Sequence, residues 1–382
     1  MMSFPGLYIH VPFCRSKCAY CSFYSIPSHE LVPAFTRAVC REMQTQTGRF
    51  DEFDTIYFGG GTPPILGIAK LETIAKAIHD NFTVSLRNEW TIEVNPNGAD
   101  LELFSGLLAT GFNRLNIGVQ SFNDGVLQYL GRAHKSEEAV RAFREARRAG
   151  FGNIGLDLIY GVPGQDMDCW MKSLEKAVDL APEHLSCYQL TIERGTPLGR
   201  RLSQGKSALP GEDLQYEFFA STSEFLERRG YTHYEISNFS RGPEFASRHN
   251  QKYWDHTPYL GLGPSAHSFS GRERWWDVAN IGKYIDMLDR GALPREDSEP
   301  IGPEELCLEM IALGLRTRKG LCLSRFEQTR GRRLDARELG SLYSLSDNGY
   351  VSIIDGWLRP TLKGMAVADR LAVELSDLLD RS

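Results

Sequence analysis

Six apolar runs alternate with amphipathic helical patterns through the first half of the chain, and this alternation limits the fold more than any other feature. The runs are Leu7–Phe13, Thr55–Phe58, Trp90–Val94, Leu115–Val119, Ile154–Ile159 and Leu185–Leu190. Between them, apolar residues recur at helical spacing over Ala34–Gln46, Ala69–Asn81, Leu101–Ala109, Glu137–Arg148 and Cys169–Leu180. Buried strands joined by helices imply a parallel sheet with helices outside, because parallel neighbours need a crossover connection. The chain therefore reads as α/β. Six such units predict an incomplete parallel (β/α)6-type barrel in preference to an open doubly wound sheet.

Strands buried on both faces should be almost wholly apolar, yet Glu93, Gln120 and Asp157 interrupt or end three of these runs. In barrels the carboxyl ends of the strands form the active face. The turn Gly59-Gly60-Gly61-Thr62-Pro63 follows Thr55–Phe58 at that same end, and its glycines let backbone come close to a ligand. A tight strand-to-helix turn without a ligand is the alternative. The chain carries neither a G-x₄-G-K-[ST] phosphate loop nor a G-x-G-x-x-G dinucleotide fingerprint.

Three cysteines, Cys14, Cys18 and Cys21, follow the first apolar run at spacing C-x₃-C-x₂-C. Three thiolates on one loop suit three irons of a [4Fe–4S] cube, leaving the fourth iron open to bind a small molecule. Zinc held by the same thiolates with a fourth ligand such as His10 is the competing reading, although paired C-x₂-C knuckles are lacking. Cys40, Cys169, Cys187, Cys307 and Cys322 are scattered singly and read as small buried hydrophobes.

With 43 Lys and Arg against 49 Asp and Glu, the net charge is −6. An acidic balance argues against nucleic acid as the main partner. No stretch approaches the roughly 20 apolar residues of a membrane span, and the N-terminus lacks the pattern of a secretory signal. A cytoplasmic protein is expected, with peripheral membrane contact left open.

Taken together, Tyr8–Cys21, Gly59–Pro63, Glu93-Val94-Asn95-Pro96, Gly118–Phe122 and Asp157–Gly164 resemble the radical S-adenosylmethionine superfamily. More narrowly, the chain resembles the branch that contains the oxygen-independent coproporphyrinogen III dehydrogenases and the HemW-type heme chaperones. The resemblance implies a [4Fe–4S] cluster on Cys14, Cys18 and Cys21, an electron donor to reduce it, and S-adenosylmethionine on the open iron. It places the methionyl end of that molecule on Gly60, Gly61 and Thr62, a contact at Glu93, and Tyr8 beside it. A second S-adenosylmethionine, where one is held, maps to Tyr20, Gln120, Arg132 and Asp157.

Two positions separate the branches. The dehydrogenases resemble one another in a further cysteine two residues after the third, where this chain has Phe23. His249-Asn250-Gln251-Lys252-Tyr253-Trp254 matches the H-N-x-x-Y-W motif of the chaperones. That resemblance implies heme as cargo, delivered to heme-accepting proteins such as those of respiration, with His249 as an axial ligand and Tyr253 and Trp254 as its support. A helix start whose aromatics enter the core is the alternative. The rival activities are oxidative decarboxylation of coproporphyrinogen III and another radical modification of heme.

Beyond the barrel (1–195), residues 196–295 read as an extension carrying the H-N-x-x-Y-W motif, with His267 a candidate for lining a cofactor cavity and Trp275 and Trp276 packing it to the barrel. Pro294–Pro303 reads as a linker. The remaining part (296–382) has two helical patterns and a hairpin turning at Asp355-Gly356, which suggests a smaller winged-helix-like domain.

Overall fold

In the computed structural model, which describes residues 4–205 and 207–380, the six runs form β1 (Gly6–Val11), β2 (Phe53–Gly60), β3 (Val84–Val94), β4 (Arg114–Gln120), β5 (Ile154–Tyr160) and β6 (His184–Gln189). They lie side by side in chain order, all parallel. The expected helices occur between them, for example Val32–Thr45, Ile68–Asn81 and Ser136–Ala149.

The strands are not apolar on both faces. Their residues alternate, as the two-residue pleat requires. Ile9, Val11, Ile56, Phe58, Ile92, Ile117, Leu156 and Leu158 are wholly buried in the main core. The intervening positions are polar: Tyr8, Thr55, Tyr57, Thr91, Glu93, Asn116, Asp157 and Ser186. One face of the sheet therefore packs on helices, and the other carries these polar side chains.

The sheet stays open. It has 12 strands, and β1 and β6 do not pair with each other. Beyond β6, β8 (Asn238–Ser240) joins antiparallel and is followed by β7 (Thr232–Glu235). On the far side β9 (Tyr259–Leu262) runs parallel to β1 and is extended by β10 (His267–Phe269), β11 (Glu273–Asp277) and β12 (Arg295–Pro300). Residues 196–295 thus supply strands to both edges. The segment expected as a linker contains β12, whose exposed charges suit an edge strand.

Between the two edges lies the short helix Arg248–Trp254, which connects the β7–β8 side to β9. The backbone N–H groups of Arg248 and His249 donate to Glu89 of β3, at 3.1 and 3.0 Å. The N–H of Ser247 donates to the Tyr234 hydroxyl of β7, at 3.2 Å. The helix spans the polar face of the sheet at the amino ends of the strands and forms its floor.

A second core gathers Ile311, Leu315, Leu321, Phe326, Leu342, Leu358 and Leu375. Here Val351–Ile354 and Trp357–Pro360 form a hairpin with Asp355 and Gly356 at φ +51° and +76°, the mirror-image turn that hairpins favour. Leu321–Cys322 adds a third strand. Backbone hydrogen bonds join this unit to β7 and the turn after it, with Arg318 N–H donating to Tyr234 O at 3.1 Å and Ile236 N–H to Arg316 O at 2.8 Å.

Two local expectations change. Cys187 and Cys307 are buried, but Cys40, Cys169 and Cys322 are partly exposed. Trp275 is buried between Arg49 and Arg295, as packing requires, whereas Trp276 is half-buried and stacks on the exposed ring of His267. No helix among the described residues is long and apolar enough to cross a membrane.

Candidate functional site

The loop after β1 carries the three cysteines, and its path is set by backbone bonds rather than by the thiols. Cys14 N–H donates to Ile26 O at 3.0 Å, Ala19 N–H to Leu130 O at 3.2 Å, and Leu198 N–H to Ala19 O at 2.8 Å. Cys14, Cys18 and Cys21 all remain partly exposed and line one cavity of about 410 Å³. Burial pushes the Cys21 thiol up, with the other two cysteines adding to the shift.

The carboxyl ends of the strands complete that cavity. Gly60 and Gly61 come from β2 and its turn, Glu93 from β3, Gln120 from β4, Asp157 from β5 and Tyr188 from β6. Gln120 sits at φ +67°, beside a shift of register between β4 and β5, which turns the strand end into the cavity. Tyr20, Arg132 and the exposed ring of Phe23 line the same space.

Arg132 is the hub of the wall. It donates to Cys18 Sγ at 3.3 Å, to Asn95 Oδ1 at 2.6 Å and to Gly118 O at 2.7 Å. Asn95 donates in turn to Thr62 Oγ1 at 2.7 Å. Burial works against the Arg132 charge, yet Tyr20 and Cys18 beside it hold the guanidinium above its ordinary value. Burial likewise pushes the Tyr20 phenol up.

Two carboxyls share the cavity in a raised state. Burial lifts Glu93 to about 7 and Asp157 adds to this, while hydrogen bonds from the Tyr57 phenol (2.8 Å) and the Gly60 N–H (3.3 Å) oppose it. Burial also raises Asp157, against a 2.6 Å hydrogen bond from Asn116. Asp157 Oδ1, Asn116 Oδ1 and Arg132 Nε are buried and have no partner within the protein. Buried polar atoms without partners are costly, so these are places for a polar ligand to satisfy.

The structure brings together most of the residues singled out from the sequence, with three exceptions. Thr62 faces an adjoining cavity of about 360 Å³ that shares Cys18, Asn95 and Arg132 with the first. Tyr8 lies beneath the lining, its ring 6.1 Å from that of Tyr57 and its hydroxyl 3.1 Å from His10 Nδ1. The H-N-x-x-Y-W segment is at the opposite end of the strands. His249 is 1 % exposed, its Nδ1 is 2.9 Å from Thr55 Oγ1, and its Nε2 is 2.9 Å from Tyr253 Oη. Burial lowers its pKa to about 3. With both ring nitrogens engaged and the ring buried, His249 does not have the geometry expected of an axial ligand. Trp254 is half-buried, and its indole N–H has no partner.

Tyr57, Asn116 and Tyr188 were not anticipated. Each occupies the polar position of an alternating strand, and that alternation was the available signal. The His10 zinc reading also fails, because both His10 ring nitrogens are engaged, the second by Tyr24 O at 2.8 Å. Among the described residues no three or more His, Cys, Asp or Glu stand close enough to hold a single metal ion. A cubane distributes its thiolates over separate irons, so a loop presenting three thiols to one cavity fits it.

Residues 8–177 match the model of the radical SAM superfamily, and residues 301–367 match that of the HemN C-terminal domain. The chain is 35 % identical over 337 residues to the heme chaperone HemW of Mycobacterium tuberculosis H37Rv, covering 87 % of this chain and 86 % of that protein. It is 34 % identical over 349 residues to the heme chaperone HemW of Bacillus subtilis, covering 90 % and 92 %. The solved structure of coproporphyrinogen III oxidase (HemN) from Escherichia coli superposes with a TM-score of 0.82 over 99 % of this chain and 91 % of that one, at 24 % identity. The last likeness concerns the fold.

Proposed function

The chain belongs to the HemW heme-chaperone family of the radical S-adenosylmethionine superfamily, and from that membership we propose that it binds heme and transfers it to acceptor hemoproteins, respiratory ones among them. The observation that carries this reading is the identity of about a third to bacterial heme chaperones along nearly the whole chain. The exposed Phe23, where the dehydrogenases have a cysteine, supports it. A fold shared with a coproporphyrinogen oxidase does not decide between the two, because activity lies in the site rather than the fold.

We assign the cluster to Cys14, Cys18 and Cys21. When bound and reduced by a donor, it would supply one electron to the sulfonium of S-adenosylmethionine. Gly60 and Gly61 would take the methionyl end by close backbone approach, and Glu93 would accept a hydrogen bond from its amino group. Arg132 would steady the Cys18 thiolate. Asp157, Gln120 and Tyr20 line the same cavity, so we assign them to the same molecule rather than to a second one. None of the eight cysteines is in a disulfide, and we propose a reducing compartment such as the cytoplasm.

Anaerobically reconstituted protein, assayed in parallel with coproporphyrinogen III and with heme, tests the reading. Heme should bind and pass to an apo-hemoprotein, and coproporphyrinogen III with S-adenosylmethionine and reductant should remain unconverted. Accumulation of protoporphyrinogen IX would overturn the assignment.

Glu93 makes a pH-dependent prediction. A carboxyl of pKa about 7 is neutral at pH 6 and ionised at pH 8, and the ionised form is the stronger acceptor for an amino N–H. Affinity for S-adenosylmethionine should therefore rise from pH 6 to pH 8, and Glu93→Gln should flatten the profile. A profile in the variant as steep as in the native protein would remove Glu93 from this role. In the ligand-free protein the sign is opposite. A folded-state pKa raised from 4.5 to about 7 contributes stability at low pH that is lost as pH rises through that range.

A further inference from the structure

The H-N-x-x-Y-W segment lies in the helix that forms the floor of the polar face, one layer beneath the cavity. Ser247 caps this helix, its hydroxyl accepting from Asn250 N–H at 3.3 Å. Glu89 takes the two N–H groups next to the cap, so the helix is tied to β3 four residues below Glu93. The His249 ring is fixed at both ends by Thr55 and Tyr253. Its face lies 5.2 Å from the ring of Tyr57, tilted by 31°, and Gly6 backs it so closely that a Cβ there would come within 3.0 Å of His249 Nδ1.

Tyr57 is the upward link. Thr55 and Tyr57 are two residues apart on β2 and so point to the same face, one holding His249 and the other packed on it. The Tyr57 phenol donates to Glu93 Oε1 at 2.8 Å. Glu93 Oε2 takes the Gly60 N–H. The carboxylate that faces the cavity is thus held by the same strand that seats the histidine.

We infer that His249 is a positioning residue of the S-adenosylmethionine pocket, bracing Tyr57 so that its phenol fixes Glu93, and is not an axial heme ligand. This inference rests on the assignment of Glu93 to the S-adenosylmethionine amino group. Removing the imidazole leaves a void against the Tyr57 ring and frees Thr55 and Tyr253 to re-pair. The phenol then loses its fixed aim. Glutamine at 249 keeps a donor and an acceptor for Thr55 and Tyr253 and should restore most of the order.

The experiment uses the anaerobically reconstituted full chain with Tyr57→Phe, His249→Ala, His249→Gln and Glu93→Gln. Three quantities are read: affinity for S-adenosylmethionine, the change in the reduced-cluster electron paramagnetic resonance signal when it is added, and heme affinity with Soret position. Tyr57→Phe and His249→Ala should each weaken S-adenosylmethionine binding about tenfold, the loss of one hydrogen bond to a charged group. Both should blunt the resonance change while leaving iron content, heme affinity and the Soret band unaltered, and His249→Gln should recover most of the affinity. If His249→Ala does not fold, His249→Gln decides: near-native S-adenosylmethionine affinity with an unaltered Soret band supports the inference, and a shifted Soret band with weakened heme binding overturns it. A shifted Soret band and weakened heme binding in His249→Ala, with S-adenosylmethionine affinity intact, would overturn the inference. So would an unaffected Tyr57→Phe alongside a weakened Glu93→Gln. An unaffected Glu93→Gln would instead remove the pocket assignment, and the inference with it.

Discussion

Alanine at Cys14, Cys18 or Cys21 is expected to bring bound iron and the broad visible absorbance of the reconstituted protein close to zero. Each thiolate would hold a different iron, and two thiolates cannot retain a cube that already lacks a fourth protein ligand. The effect should be local. The loop is held by backbone bonds through Cys14, Ala19 and Leu198, none of which uses a thiol, so the variants should melt near the apo-protein of native sequence. Alanine at Cys40, Cys169, Cys187, Cys307 or Cys322 should leave iron content unchanged, since none of these lines the cavity. Iron measured by colorimetric assay across all eight variants checks this. Full iron in any of the first three, or its loss in any of the other five, would show that the cluster is held elsewhere.

The second large effect is expected at Gly60. Its φ is +98°, a region that disfavours side chains, and a Cβ would lie 2.5 Å from the His10 ring. That ring cannot move away, because Tyr8 and Tyr24 O hold both nitrogens. Backbone strain and overpacking together should cost Gly60→Ala about 2–5 kcal/mol of stability. The turn would also be displaced from Glu93, whose Oε2 takes the Gly60 N–H. Chemical denaturation should show the loss, and binding of S-adenosylmethionine should fall with it. An unchanged denaturation midpoint with unchanged affinity would mean that the turn tolerates a side chain and is not the close-approach site assigned here. Gly48, also at a positive φ (+79°) but with open space around it, provides the control, since its alanine variant carries only the backbone term.

Much of the fold could be read from the chain because the signals are local. Leu7–Phe13 and Leu115–Val119 became β1 and β4 with their ends moved by no more than two residues, since apolar runs bounded by turns have few other ways to satisfy their backbone. The cysteine loop, the Gly60-Gly61 turn and the polar strand ends were visible for the same reason. Residue type and spacing along one segment carried them. Tyr57, Asn116 and Tyr188 escape a local reading because they sit inside runs of which only alternate residues are apolar.

What the sequence determined by itself is therefore the order of the parallel strands, the end of the sheet at which chemistry sits, the loop that offers three thiols, and the family. Tertiary structure decided how the sheet ends and where the H-N-x-x-Y-W segment faces. The short strands after residue 230 pair with β6 on one edge and with β1 on the other, contacts too distant along the chain for any local pattern to encode. Those pairings hold the sheet open and pull Arg248–Trp254 across its floor. A histidine beside aromatics suits a heme ligand and a core brace equally by composition. The burial of His249, with Thr55 and Tyr253 on its two nitrogens, is what favours the brace, because neither ring nitrogen is left free for an iron.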